Sequence, residues 1–463
     1  MCAGLASGAK AAITAPMTDN DAMTCLQAAL EDAKAAGATS ADAVLVEATD
    51  ISVSQRLGTP EEMERAESSG VGLRVFVGDK YALASSSDFS RNALREAAQR
   101  AVLMAKASIA DPFSRVATAA EWGEPAEGLD LCDAGEPAIE WMREQCAIAE
   151  DAARSHAGIT NSEGAQMSAG RHKVMMLSSA GKSTAYESSS YSLSASVLGG
   201  KGDQMQRDYA YSVARHCADV KDAKSIGDEA AERTLKRLNP RKQSTKNLPV
   251  IFEPRVGKSL LGSFASAISG ASVARGTSFL KDKMGQSLFG EQIQIIDNPH
   301  RPRGLASRPL DGEGLANLPL HLVENGVLQH WLLDLRSAAQ LGLVSNGRAS
   351  RGMASAPSPS STNLHLEAAG ARAPEALIGE IEEGFYVTEC FGMGVNLITG
   401  DYSQGASGFW IEKGKLAYPV AELTIAGHLL EMFQGLEAAN DLQSDYATNA
   451  PTMRIDCMMI AGS

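Results

Sequence analysis

The stretch VNLITGDYSQGASGFWIEKGKLAYPVAELTIAGH, Val395–His428, restricts the fold more than any other part of the chain. Gly400, Gly405 and Gly408 permit backbone angles that other residues avoid. Asp401, Ser403, Gln404 and Ser407 can hydrogen-bond local backbone, so Gly400–Gly408 reads as a tight, shaped loop. Beyond it, Gly408–Ile411 and Leu416–Val420 flank Glu412-Lys413-Gly414-Lys415, the pattern of a β-hairpin. On residue types alone the stretch is a glycine-rich barrel corner without chemistry.

At 463 residues the chain is too long for one ordinary core, so two domains are expected. In the first half, Thr18–Asp21 offers caps for a helix over Ala22–Ala36 that Gly37 stops. Ala43–Ala48 and Ile51–Leu57 read as strands, with acidic Glu61–Glu67 covering the crossing; Gly70–Val77 and Lys80–Ser85 form a hairpin across Gly78-Asp79. Helices follow over Arg91–Ala107 and Pro137–Ala153. Val174–Ser178, Ser183–Glu187, Tyr191–Leu198 and Tyr209–Ala214 then alternate like antiparallel strands, with Ser188–Ser190 and Gly199–Asp203 as turns, before a helix over Asp228–Leu238. This order lacks the regular βαβ alternation of a parallel fold and predicts an α+β chain with antiparallel sheet.

A boundary is expected at Pro240–Asn247. That gives a flexible extension over residues 1–18, an N-terminal α+β domain over 19–243 and a β-rich, barrel-like C-terminal domain over 244–463. In the latter, Leu248–Phe252 reads as a strand and Pro254–Ser272 as a helix of small residues that must pack tightly. Strands are expected at Ile293–Asp297, Leu318–Val323, Val327–Leu333, Leu364–Glu367, Phe385–Glu389 and Met453–Ala461, and a helix at Thr424–Gly435. Arg348–Thr362, dense in Ser, Pro, Ala and Gly, reads as a long mobile loop.

A net charge of −14 argues against a nucleic-acid surface, and the basic Arg233–Lys246 reads as a solvated helix end and linker. The seven cysteines are scattered and never spaced CxxC, which fits a reducing compartment without disulfides or a zinc ribbon. No apolar run approaches membrane-span length and the N-terminus lacks a basic signal region, so a cytoplasmic protein is expected. Gly181-Lys182-Ser183 and Gly257-Lys258-Ser259 end like a Walker A loop, but Met176 and Phe252 stand where its first glycine belongs. None of the eight histidines forms a helical i, i+4 pair or precedes a Glu, so there is no HExxH zinc helix.

Five segments carry a resemblance: Leu397–Leu429 with its GDYSQGASGFW run, Met205–Arg215 (MQRDYAYSVAR), Arg233–Phe252, Gly304–Gly314 (GLASRPLDGEG) and Ala82–Ser90 (ALASSSDFS). Together they resemble the PmbA (TldE) branch of the TldD/PmbA family, from about Leu26 to the C-terminus. The resemblance implies a two-domain α+β protein that works with a TldD partner as a cytoplasmic metallopeptidase on small unfolded peptides. The associated processes are maturation of peptide antibiotics and turnover of labile antitoxins, under the older label of modulator of DNA gyrase.

In the TldD branch an HExxxH helix and a Cys near the C-terminus hold zinc, with the Glu as general base for a bound water. Here that helix corresponds to Leu260–Ala267, with Gly262 and Ser263 where the first His and the Glu would stand, and Ser266 or Ala267 near the second His. Cys457 lies in a segment, Pro451–Cys457, that resembles the region after the metal Cys, and the metal position itself has no counterpart. The resemblance therefore implies no metal and no catalytic residue in this chain, with zinc in the TldD partner. Gly400, Asp401, Tyr402, Ser403, Gln404, Gly405, Ser407 and Gly408 are the candidates for a substrate-binding surface, the barrel-corner reading standing beside it. Two alternatives are an independent homodimeric peptidase using an unrecognised metal or nucleophile, and a regulatory protein binding gyrase.

Overall fold

The computed structural model describes residues 17–392 and 394–462. The expected extension, apart from Met17 and Thr18, lies outside them. Thr18 caps the first helix by accepting from the Asp21 amide at 3.2 Å.

The N-terminal half is built on one antiparallel sheet. Its strands are β1 (Ser40–Arg56), β2 (Thr59–Val77), β3 (Lys80–Ser86), β4 (Ile159–Ser178), β5 (Ser183–Gly199) and β6 (Gln206–Ala214), in spatial order β3-β2-β1-β4-β5-β6. The helices α1 (Asp19–Ala35), α2 (Arg91–Ala107), α3 (Ile139–Ser155) and α4 (Ala223–Lys236) cover one face. The two-residue side-chain period of a strand explains why. Ala41, Ala43 and Leu45 join α1 and α2 in one core cluster, and Ile51 and Val53, on the same face of β1, join α3 and α4 in another.

Three expectations are corrected here. Ala43–Ala48 and Ile51–Arg56 belong to one continuous strand, β1, with Leu57 in the turn that follows. The acidic Glu61–Glu67 is the exposed half of β2, paired to β1 across the Leu57-Gly58 turn, rather than a crossing. Ser188–Ser190 lies inside β5, its hydroxyl-rich pattern being a strand whose small polar residues also pair.

The opposite face of the sheet receives the C-terminal half. Gly70 and Gly72 of β2 let Met353 close in, a Cβ at Gly72 standing 2.0 Å from the Met353 carbonyl oxygen. Arg74 beside them is buried between Asp42 (2.5 Å) and Glu313 (3.3 Å), and Arg351 also reaches Asp42 (2.5 Å). Arg348–Thr362 is therefore not a free loop. Ala349–Ser350 pairs with Ser358–Pro359, and the fully buried Arg348 is 2.5 Å from the equally buried Asp297.

The C-terminal half contains a barrel. Its strands are β7 (Lys246–Phe252), β11 (Glu383–Phe391), β12 (Asp401–Glu412), β13 (Lys415–His428) and β14 (Met453–Ala461), ordered β13-β12-β11-β7-β14 and closed by β13 against β14. A second sheet holds β8 (Ile293–Asp297), β9 (Leu320–Glu324) and β10 (Leu364–Ala368). Helix α5 (Pro254–Ala267) starts with Pro at its first turn, where a missing N–H costs nothing. It buries Val256, Leu260, Leu261 and Phe264 in the core, the Phe264 ring meeting Phe289 and Phe433 edge-on at 5.5 and 5.9 Å. Helix α5 stops at Ala267, short of the predicted Ser272, and the predicted helix over Thr424–Gly435 is mostly strand, with helix only over Leu429–Gln434.

The shaped loop expected at Gly400–Gly408 is instead β12 from Asp401 onward, bonded to β11 on one side and β13 on the other. Gly400 alone of its three glycines has a positive φ, +89°. Gly405 lies under the Phe391 ring, and Gly408 faces the Tyr386 carbonyl at a bulge, so these glycines serve close approach. The hairpin at Lys413-Gly414 is present, both residues having positive φ.

Candidate functional site

The two halves meet along β6, an edge strand with β5 on one side only. Tyr209 and Tyr211, two residues apart on one face, project toward α5. The Arg255 guanidinium lies over the Tyr209 ring at 4.6 Å, and Lys258 Nζ is 2.6 Å from the Tyr211 hydroxyl and 4.3 Å from the Tyr446 ring centre. Asp208 fixes this junction: it is 3% exposed, accepts from Arg255 at 2.9 Å and from Arg237 at 3.1 Å, and sits 3.9 Å from Arg233. Burial raises its carboxyl pKa, but the Arg255 and Arg237 guanidinium groups hold it below the usual range.

Beside this junction a cleft of about 270 Å³ opens. One wall is the end of β6 and its continuation, Tyr211–Arg215, followed by Asp219 and Lys221. The other is formed by Arg301–Arg303 and Ser444–Tyr446. Some of its charges cancel: Arg303 pairs with Asp130 (2.6 Å) and Asp219 (2.9 Å), and Lys221 with Asp445 (3.4 Å). Arg215 and Arg301 bond to carbonyls instead, Arg215 donating to Ser189 (3.0 Å), Gly304 (3.3 Å) and Leu305, and Arg301 to Tyr446 (2.9 Å). Burial pulls both guanidinium pKa values down. Burial likewise pushes the Tyr446 hydroxyl well above the ordinary tyrosine range, with Tyr211 adding to it.

One turn beyond Lys258, α5 presents Gly262, Ser263 and Ser266. A Cβ at Gly262 would meet nothing within 4 Å. The hydroxyls of Ser263 and Ser266 turn back onto their own helix, donating to Ser259 O (3.0 Å) and Gly262 O (2.9 Å). This helix face has room for side chains that could ligate a metal but carries none, so these residues do not fit a zinc ion. Among the described residues no group of three or more His, Cys, Asp or Glu side chains converges as a metal site. Cys457 is exposed on β14.

Seven of the eight residues singled out from sequence stay together on β12, Gly400 stands just before it, and none of the eight lines the cleft. The Asp401 carboxylate accepts from Thr399 Oγ1 at 2.6 Å, and the Gly400 carbonyl accepts from the Leu429 amide at 2.7 Å. Tyr402 is buried with its hydroxyl 3.9 Å from Cys390 Sγ, whose thiol burial pushes up to about 11. The side-chain amide of Gln404 lies against the carbonyl oxygens of Phe391 and Gly392 at 3.0 Å, to which its NH2 donates when the amide is oriented to satisfy both. Ser407 and Gly408 are buried within the sheet, Ser403 is exposed and Gly405 is half-buried. The cleft residues were missed because they come from three distant segments. The one available signal was the alternating Tyr209 and Tyr211 within Met205–Arg215.

Comparison with known proteins matches the chain to three domain models in order: PmbA/TldA metallopeptidase domain 1 at residues 41–105, its central domain at 134–238 and its C-terminal domain at 245–462. The Haemophilus influenzae metalloprotease PmbA homolog is 36% identical over 437 residues, covering 94% of this chain and 95% of that protein. Among solved structures, a Bacteroides thetaiotaomicron protein solved under the label of modulator of DNA gyrase superposes with a TM-score of 0.88 at 25% identity, covering 97% of this chain and 100% of that one. TldE from Thermococcus kodakarensis shares the fold at a TM-score of 0.80 and 21% identity, over 95% of this chain and 100% of its own. With its domains matched in sequence order and a relative aligned along nearly its whole length, the chain belongs to the PmbA/TldD metallopeptidase family.

Proposed function

We propose that this chain is a TldE-like, zinc-free subunit that holds a small unfolded peptide while a TldD-like partner supplies the catalytic zinc in a cytoplasmic complex. The observation that carries this reading is helix α5, where Gly262 and Ser263 stand at the positions that the resemblance assigns to the first His and the Glu, and Ser266 or Ala267 near that of the second His. A glycine, a serine hydroxyl bonded to its own helix, and either a second such hydroxyl or an alanine methyl do not supply zinc ligands or a base for its water. The edge of β6 gives the peptide-holding role a physical basis, because strand addition binds main chain through hydrogen bonds and depends little on side chains. Peptide-antibiotic precursors and labile antitoxins are the substrate classes this reading supplies. Gly400–Gly408 then acts by shaping the barrel.

The test is metal content and cleavage of an unfolded peptide by the purified chain, by its TldD-like partner and by their mixture. The chain alone is expected to be metal-free and inert, and the mixture more active than the partner alone. Zinc bound at one per chain with cleavage by the chain alone refutes the proposal.

A further inference from the structure

The cleft beside β6 has a charge pattern that general peptide binding does not require. In a chain of net charge −14, it concentrates cations whose compensation is incomplete. Arg303 and Lys221 are paired with Asp219 and Asp445. Among the described residues no carboxylate lies within ion-pair distance of Arg215, Arg301 or Lys258, which hold carbonyls and a tyrosine hydroxyl instead. Arg215 and Arg301 are also partly desolvated, and a desolvated guanidinium bonded only to neutral acceptors gains most from a carboxylate, which it can bind through two parallel hydrogen bonds. Tyr211 and Val213 fall on one face of the strand and Arg215 follows directly after its end in the same cleft, so a peptide laid along this edge passes the Tyr211 and Tyr446 rings, 5.2 Å apart, before reaching the arginines.

Resting on the peptide-holding reading, we propose that the cleft is a carboxylate-recognising subsite, in which Arg215 and Arg301 hold an anionic group of the bound peptide and Lys258 with the two tyrosines lines the approach. The carboxylate has two sources, the peptide's C-terminus or an acidic side chain. If it is the C-terminus, the peptide runs parallel to β6 and its chain end is held at this subunit.

The experiment measures binding of a fluorescent unfolded peptide to the full chain by anisotropy, in three forms: free acid, C-terminal amide, and free acid with Asp and Glu replaced by Asn and Gln. Removing the recognised carboxylate is expected to weaken binding about tenfold, the usual scale for a charge-assisted contact. Loss in the amide assigns the C-terminus; loss in the neutralised form assigns an acidic side chain. Arg301→Gln is expected to weaken the free acid equally and to abolish discrimination between the forms. Arg215 braces three carbonyls, so Arg301→Gln and Lys258→Met are the variants of choice, and the peptide series needs no variant. Equal affinity for all three forms overturns the subsite while leaving peptide holding intact. Absence of binding to any form overturns both.

Discussion

Replacing Gly408 by alanine asks whether the glycine-rich signature of β12 shapes the fold or touches peptide. The added Cβ would lie 1.9 Å from the Tyr386 carbonyl oxygen, 2.9 Å from its carbon and 3.0 Å from Val387 Cα. All three are backbone atoms of β11, so no side chain can swing aside and the strands must part by about 1 Å, against a normal spacing of about 4.8 Å. Overpacking of this kind costs about 1–3 kcal/mol, and each ladder hydrogen bond lost beside the bulge adds about 1 kcal/mol. We expect Gly408→Ala to destabilise the chain by about 3 kcal/mol. Two glycines serve as controls. A Cβ at Gly427 meets only the flexible side chains of Met432, at 3.2 Å, and Met458, at 3.7 Å, and should cost under about 1 kcal/mol, while Gly262→Ala, in open space on a helix, should stabilise by about 0.5–1 kcal/mol. Urea unfolding followed by tryptophan fluorescence reads the series, with buried Trp410 two residues from the lesion. A Gly408→Ala protein as stable as wild type, yet unable to support cleavage by its partner, would refute the packing argument and place peptide on β12.

Two further outcomes follow from buried charges. Burial raises the Glu313 carboxyl to about 7 despite Arg74, with Asp311 adding to the shift. Between the ordinary value of about 4.5 and 7 the folded chain keeps a proton that the unfolded chain has released, so stability should fall by about 3 kcal/mol as pH rises through that window. Glu313→Gln should flatten this slope in urea titrations at pH 5 to 8, and an unchanged slope refutes the assignment. Arg348→Met strands the carboxylate of Asp297 with only the Thr362 amide and hydroxyl as donors, at 2.6 and 3.0 Å, and should cost about 3–5 kcal/mol. Limited proteolysis should then cut within 349–361, and persistent resistance there would show that Arg348 does not pin the segment.

The sequence disclosed the fold class through local signals that tertiary contacts reinforce. Lys413-Gly414 is a hairpin because only that turn geometry joins β12 to β13, and Met453–Ala461 was legible to the residue. It misled wherever a local signal had a distant cause. Gly405 and Gly408 imitate a loop, but their reason is the Phe391 ring and the Tyr386 carbonyl. The Ser- and Pro-rich Arg348–Thr362 imitates a mobile segment because the partner of Arg348, Asp297, is far away in sequence. The site was half legible. Gly262 and Ser263 on α5 could be read from one window, whereas a cleft assembled from Tyr211, Arg301 and Tyr446 has no signature in any one window.

The closing of the barrel bears on how the protein is made. β7 lies between β11 and β14, and its antiparallel partner β14 leaves the ribosome about 200 residues after it, a delay of roughly 10–40 s at ordinary synthesis rates. Through that interval Val250, Ile251 and Phe252, fully buried in the finished molecule, have no complete core to enter. The N-terminal sheet, whose strands pair without any segment beyond β6, can already be formed. Newly made chains therefore pass through a stage in which a formed N-terminal sheet carries an unfinished second half whose apolar β7 is exposed.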